Sequence, residues 1–180
     1  MNDRDWPAEI LDFWFAQSPD AWWQGSPEFD IAVSDRFLKL WEEQQQRPIA
    51  HFQQSPELAL AAIILFDQFP RNMFRGHAQS YATDHMALAL AREAVDRGFD
   101  DGFDKDRRTF LYMPFEHSED EADQRRSVGL FTALGDPELI RFARKHLELI
   151  ERFGRFPHRN PILGRTPRPD EVEAGPVFPW

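Results

Sequence analysis

Apolar side chains recur along the chain at alternating intervals of three and four, the spacing that lines one face of a helix. After Ser55 they fall at Leu58, Ala61, Ala62, Leu65, Phe66 and Phe69. After Pro27 the set is Phe29, Val33, Phe37 and Leu40, and after Asp136 it is Leu139, Phe142, Ala143, Ile150 and Phe153. Small residues after Thr83 (Ala87, Ala91, Ala94 and Gly98) predict a close helix–helix approach. No comparable stretch alternates strictly between polar and apolar, as a half-buried strand would.

Polar punctuation agrees with this period. Ser26-Pro27-Glu28, Ser55-Pro56-Glu57 and Asp136-Pro137-Glu138 each supply a capping oxygen, a proline suited to the first helical position and an acid for the helix dipole. Ser118 with Glu121 reads as a capping box, and Thr83-Asp84 as a further start. Seven helices are predicted, at roughly 7–17, 27–46, 56–69, 84–98, 105–113, 119–134 and 137–153, with ends good to about 2–4 residues. Short connections favour antiparallel neighbours, so the fold class is all-α: about seven helices as stacked antiparallel hairpins. Residues 1–164 read as one domain and 165–180 as a Pro-rich tail with Pro167, Pro169, Pro176 and Pro179. The tail's Val177-Phe178-Pro179-Trp180 ending either docks on apolar surface or forms a free tip.

Composition adds boundaries rather than detail. A chain of 180 residues can bury a substantial core, and its 17 Phe and 6 Trp supply large rings with few polar demands. Cysteine is absent, which removes disulfides, thiol catalysis and thiolate metal sites and fits a reducing, cytoplasmic setting. The N-terminal ten residues lack the basic-then-apolar pattern of a secretion signal, and the apolar run from Leu58 to Phe66 is far too short for a membrane span. A net charge of −10 argues against nucleic acid or anionic membranes as partners. Basic charge nevertheless gathers late, at Arg141, Arg144, Lys145, Arg152, Arg155 and Arg159, so a local anion site stays open.

Three segments put aromatics beside charge at helix junctions. In Phe66–Gly76, Asp67 falls one turn beyond Ile63 and Ile64 on an apolar face, so its carboxylate is expected to be partly buried and paired. Arg71 stands four residues on across Pro70; Asn72 and Arg75 follow. Pairing that fixes a turn and ligand binding are both open readings. In Met113–Glu121 capping explains Ser118 onward but not Glu116-His117. A histidine just before a helix N-terminus would be held neutral by the dipole, able to accept a proton. In Phe153–Pro161, Gly154 suits a helix C-cap, and the proline-stiffened loop beyond it offers Arg155, His158, Arg159 and Asn160. His146 lies on the apolar stripe of its helix and reads as a satisfied core histidine. A glycine-rich phosphate loop, paired histidines at helical ligand spacing and a nucleophile-elbow serine are all missing, and neither metal nor cofactor is expected.

Ile10-Leu11-Asp12-Phe13-Trp14-Phe15, the Phe66–Gly76 stretch, Phe115-Glu116-His117-Ser118-Glu119-Asp120 with Ala122-Asp123-Gln124, and Phe153–Asn160 together closely resemble the bacterial domain-of-unknown-function family 924. The resemblance runs from about residue 8 to 165 and departs in the tail from Thr166. It implies membership of the tetratricopeptide-like helical superfamily, hence stacked helical hairpins, and implies no activity.

Two functions follow from the residues. One is a helical binding scaffold whose Asp67, Arg71, Asn72, Arg75, Arg155, Arg159 and Asn160 hold a small anion or a peptide carboxylate. The other is an enzyme on an anionic substrate, with Glu116, His117 and His158 doing acid–base work. A third reading makes all three segments braces between helices. Whether these segments share one solvent-connected cavity is the decisive structural question.

Overall fold

A computed structural model describes residues 5–178. The first four residues of the N-terminal stretch, and the Pro179-Trp180 end of the tail, lie outside the described residues. Described residues form helices and turns with no strand: α1 (Trp6–Phe15), α2 (Pro19–Gln24), α3 (Pro27–Gln44), α4 (Pro56–Ile63), α5 (Phe69–Met73), α6 (Asp84–Asp96), α7 (Lys105–His117), α8 (Glu121–Leu134), α9 (Pro137–Phe153) and α10 (Pro169–Ala174). Seven of these have eight residues or more, matching the seven read from periodicity.

The long helices begin where the sequence caps them. Ser26 accepts from the Phe29 amide, Ser55 from Leu58, and Asp136 from Glu138 and Leu139. One start differs. The cap of α8 is Asp120, which accepts from Ala122 and Asp123, while Ser118 donates to the Asp123 carboxylate at 2.8 Å. Aspartate two residues closer to the first turn wins the capping position from the serine. Helix α9 ends at Gly154 in the left-handed conformation (φ +66°), which L side chains rarely adopt.

Beyond its first turn helix α4 is buried on every side, with all side chains from Ala59 to Phe69 withdrawn from solvent through the turn that follows it. It packs against α1, α6 and α7, and the chain then winds α6 on α7, α7 on α8, and α8 on α9. Ala87, Ala91 and Ala94 are fully buried on α6, where their small size lets α6 approach α4.

Two prolines shape the part of the fold that matters most. Pro70 has no N–H to give the Phe66 carbonyl one turn back, and its ring crowds that position. The helix answers with a π-helical turn over Ile64–Gln68 before resuming as α5. Thr83 Oγ1 supplies the missing donor, reaching Phe66 O at 2.7 Å while accepting from Trp41 Nε1 at 3.1 Å. Thr83 thus precedes α6 without capping it. Pro114 lies inside α7, which does not stop at 113 as the proline suggests but runs on to His117. Glu116 and His117 therefore occupy the C-terminal turn of α7 rather than a linker before α8. The Gln124 amide closes that turn, donating to the carbonyls of Glu116 (2.6 Å) and Ser118 (2.7 Å).

The tail is not wholly extended. It forms α10, whose Glu171 is 5% exposed and held by Arg155 and Asn160. Arg165 pairs with Glu119, and Arg168 donates to Phe153 O, so the segment is tied across the ends of α7, α8 and α9. Phe178 stacks near His158 with centroids 6.1 Å apart.

Candidate functional site

A partly open cavity of about 620 Å³, within the range of small-molecule sites, lies between the ends of α5 and α7, the first half of α9 and the loop that follows it. Arg71, Arg75, Glu116, His117, His158 and Arg159 all line it, so the three polar segments meet in one space. Apolar walls come from Trp23, Tyr81, Met113, Phe131, Leu139, Phe142, Ile162 and Phe178. A smaller cavity of about 300 Å³ adjoins it through Trp23, Thr109, Leu139 and Phe142.

Asp67 is fully buried just behind the wall, placed there by the π turn. Burial alone would raise its pKa; the charge of Arg71, with hydrogen bonds from His117 and Gln68, brings it down to about 2. Arg71 Nη1 lies 3.3 Å from Asp67 Oδ1, and the guanidinium grips Asp84 with both terminal nitrogens at 2.8 and 3.0 Å. His117 Nδ1 sits 2.7 Å from Asp67 Oδ1. An ionised carboxylate can only accept, so Nδ1 carries the hydrogen and Nε2 keeps its lone pair. Burial and the Arg71 charge lower the His117 pKa against the pull of Asp67, and the ring is neutral at pH 7. Its neutrality thus comes from burial and a neighbouring cation. The helix dipole is not the cause: His117 sits in the C-terminal turn of α7, where the dipole favours the charged form.

Glu116, beside it, is 6% exposed. Burial, and then the negative charge of Asp67, push its pKa up to about 8, so it is a neutral acid at pH 7. His146 Nδ1 is 3.1 Å from Glu116 Oε1 and 2.9 Å from Phe142 O. A carbonyl accepts only, so this Nδ1 also carries its hydrogen. Burial depresses the His146 pKa to about 3. The Glu116–His146 contact is consequently a neutral pair. His158 is likewise pushed down to about 4, by burial and then by Arg159.

Arg159 is the outlier. It is 8% exposed, and its guanidinium is sandwiched between the rings of Tyr81 (4.7 Å) and Phe156 (4.5 Å). Asp84 and Glu119 lie near enough to offset part of its charge, yet among the described residues neither forms an ion pair with it. Burial and the Arg71 charge therefore lower its pKa.

The remaining residues singled out in the sequence sit apart from the cavity wall. Asn72 donates to Asp30 Oδ1 at 2.8 Å, and Arg75, which does reach the cavity, grips the same aspartate through two nitrogens. Arg155 and Asn160 both hold Glu171 in α10. His146, Tyr81 and the aromatic wall were not legible as site residues. His146 stands in step with apolar positions, and nothing local marks that its stripe faces a cavity. Among the described residues no three His, Cys, Asp or Glu side chains gather as a metal site, and no helix is long and apolar enough to cross a membrane.

Fold and site together define an all-helical protein whose helix ends border an arginine- and histidine-lined cavity. The family model for bacterial proteins of unknown function, DUF924, matches residues 10–174, and the chain belongs to that family. The match extends past residue 165 and takes in α10. A solved structure of a protein of unknown function from Agrobacterium tumefaciens is similar along nearly its whole length. It shares 42% identity over 93% of this chain and 95% of that one, with a TM-score of 0.87. None of the curated proteins compared with the chain matches it.

Proposed function

We propose that this protein binds a small organic anion in the cavity between the ends of α5, α7 and α9, with Arg159 as the group that receives the anionic end. The reading rests on one observation: a buried guanidinium faces the cavity without an ion-paired carboxylate among the described residues. A buried charge costs several kcal/mol unless it is paired, so a site that keeps one is adapted to receive a counter-ion from outside. Stacking on Tyr81 and Phe156 fixes the planar fork, which suits a carboxylate. Arg71 and Arg75 add positive potential although each is already paired. The apolar walls call for an aromatic or branched aliphatic body on the ligand, and the volume favours a small molecule over the end of a peptide. A cytoplasmic setting is part of the proposal, in keeping with a chain that has no cysteine.

Isothermal titration with a panel of aromatic and aliphatic carboxylates tests it, using the wild type and Arg159→Gln. The variant is expected to lose about 10–100-fold in affinity, the range for a charge-assisted hydrogen bond, while its thermal stability stays level or rises. Equal affinity in the two proteins refutes the assignment. A large fall in stability with no change in binding would make Arg159 a brace.

A further inference from the structure

We propose that the cavity is also catalytic: His117, oriented by Asp67, and Glu116 move a proton on a bound carboxylate that carries an acidic C–H beside a carbonyl group, such as a 2-oxo acid with an aromatic or branched body. The inference rests on the anion-binding reading, because Arg159 must hold the carboxylate for the proton-transfer groups to reach the C–H carbon beyond the carbonyl.

The geometry carries three parts of the argument. First, the imidazole is an oriented base. Its Nδ1–H is committed to Asp67, itself fixed by Arg71, and Nε2 makes no hydrogen bond to the described residues. A carboxylate behind the ring fixes the tautomer that leaves Nε2 free to accept a proton and stabilises the imidazolium formed. Second, the acid comes from the adjacent residue. Glu116 lines the same cavity, with one oxygen 3.1 Å from His146 Nδ1, whose hydrogen is given to Phe142 O. Two neighbouring titratable groups held in opposite protonation states are the arrangement for paired acid–base work. The burial-raised pKa of Glu116 keeps that proton in place at neutral pH. Third, both groups belong to the last turn of α7 and line the cavity, projecting about 100° apart around the helix axis, so a ligand seated against that turn meets the base and the acid at different atoms. That suits taking a proton from one atom and giving one to its neighbour. The cavity's serine and threonine are turned elsewhere: Ser80 Oγ donates to His77 O and Thr109 Oγ1 to Lys105 O.

The step balances without an oxidant or reductant. His117 Nε2 takes the proton from the carbon adjacent to the carbonyl; the C–H electron pair becomes the C=C bond. The carbonyl π pair moves to oxygen, which takes the proton of Glu116, and the enol forms. Reversal returns the ketone, and the imidazolium proton exchanges with solvent in between. Asp67 and His146 are positioning residues.

Phenylpyruvate, 4-hydroxyphenylpyruvate and 4-methyl-2-oxopentanoate in D2O are suitable probes. Proton NMR follows loss of the C3–H signal against a buffer blank, and calorimetry measures binding of the same compounds. Wild-type protein is expected to accelerate exchange of at least one probe by on the order of 100-fold. His117→Gln should abolish the acceleration while binding persists. Glu116→Gln should slow exchange and remove the alkaline limb of its pH profile. Binding without acceleration overturns the catalytic proposal and leaves the binding reading intact. Acceleration that survives in His117→Gln also overturns it. Failure of all three probes to bind removes the binding reading for this ligand class, and this inference with it.

Discussion

Replacing Glu116 with glutamine should raise stability at neutral pH and flatten its dependence on pH above 6.5. Glu116 has an ordinary pKa of 4.5 and is pushed up to about 8 in the folded protein, by burial and by Asp67. An acid whose folded pKa lies above its unfolded value binds more protons in the native state across that interval, so stability falls as pH rises from about 4.5 to about 8. His146 and His158 act in the opposite sense. Their folded pKa values, about 3 and about 4, lie below the ordinary 6.5, so they make stability rise with pH, but only up to about 6.5. His117, also lowered, acts in the same sense; the histidine contribution fades above pH 6.5 and is common to wild type and variant, so the difference between the two proteins isolates Glu116.

At about 1.36 kcal/mol per pH unit, and allowing for partial ionisation as pH 8 is reached, the wild type should lose about 1.5 kcal/mol across that window through this one group. Glutamine matches the volume and stays neutral. Urea unfolding at pH 6.5 and 8.0 for both proteins gives the answer. For a chain of this size the wild-type midpoint should drop by about 0.5–1 M more than that of Glu116→Gln. Parallel behaviour in the two proteins would mean that Glu116 is already ionised at pH 6.5, and the neutral-acid argument would fall with it.

Other outcomes follow from single contacts. Asp67→Ala leaves His117 Nδ1 and one side of Arg71 without a buried acceptor, and should cost about 3–5 kcal/mol in urea unfolding. Thr83→Val removes the donor to Phe66 O and the acceptor of Trp41 Nε1, so a loss of about 2 kcal/mol or more is expected, with a change in tryptophan fluorescence. Gly154→Ala forces an L side chain into the left-handed cap of α9; a loss of about 1 kcal/mol is expected by thermal unfolding. Glu171→Ala releases Arg155 and Asn160, and limited proteolysis should then cut the chain after residue 164 faster than in the wild type.

The helices were legible because their signals are local. Ser26, Ser55 and Asp136 cap within three residues of themselves, and the periodic faces of α3 and α9 need no distant information. The discrepancies arise where a local rule is overridden at a distance. Pro114 breaks an isolated helix, but packing of α7 against α6 and α8 carries it through to His117. Pro70 needed a π turn and a hydroxyl contributed from Thr83, thirteen residues further along, and neither is visible in the Phe66–Gly76 segment alone.

The candidate site depends on the same distinction. Asp67–Arg71 could be read as a pair because the two residues are four apart, but Asp84, Asp30, Glu119 and Glu171, which satisfy Arg71, Arg75, Arg165 and Arg155, lie 13 to 46 residues from their partners. Sequence spacing alone assigns every arginine in these loops the same chance of holding a ligand. The fold separates them by partner: Arg155 is consumed in holding the tail, while Arg71 and Arg75 reach the cavity already paired. Braces and binding residues are therefore not rival descriptions of these segments. The paired arginines stabilise the three helix ends, and the ends so held bring a cation without an ion-paired carboxylate among the described residues, an oriented imidazole and a protonated carboxyl to the same cavity. The unpaired cation and the protonated carboxyl each cost stability, which is the pattern expected where stability has been given up for function.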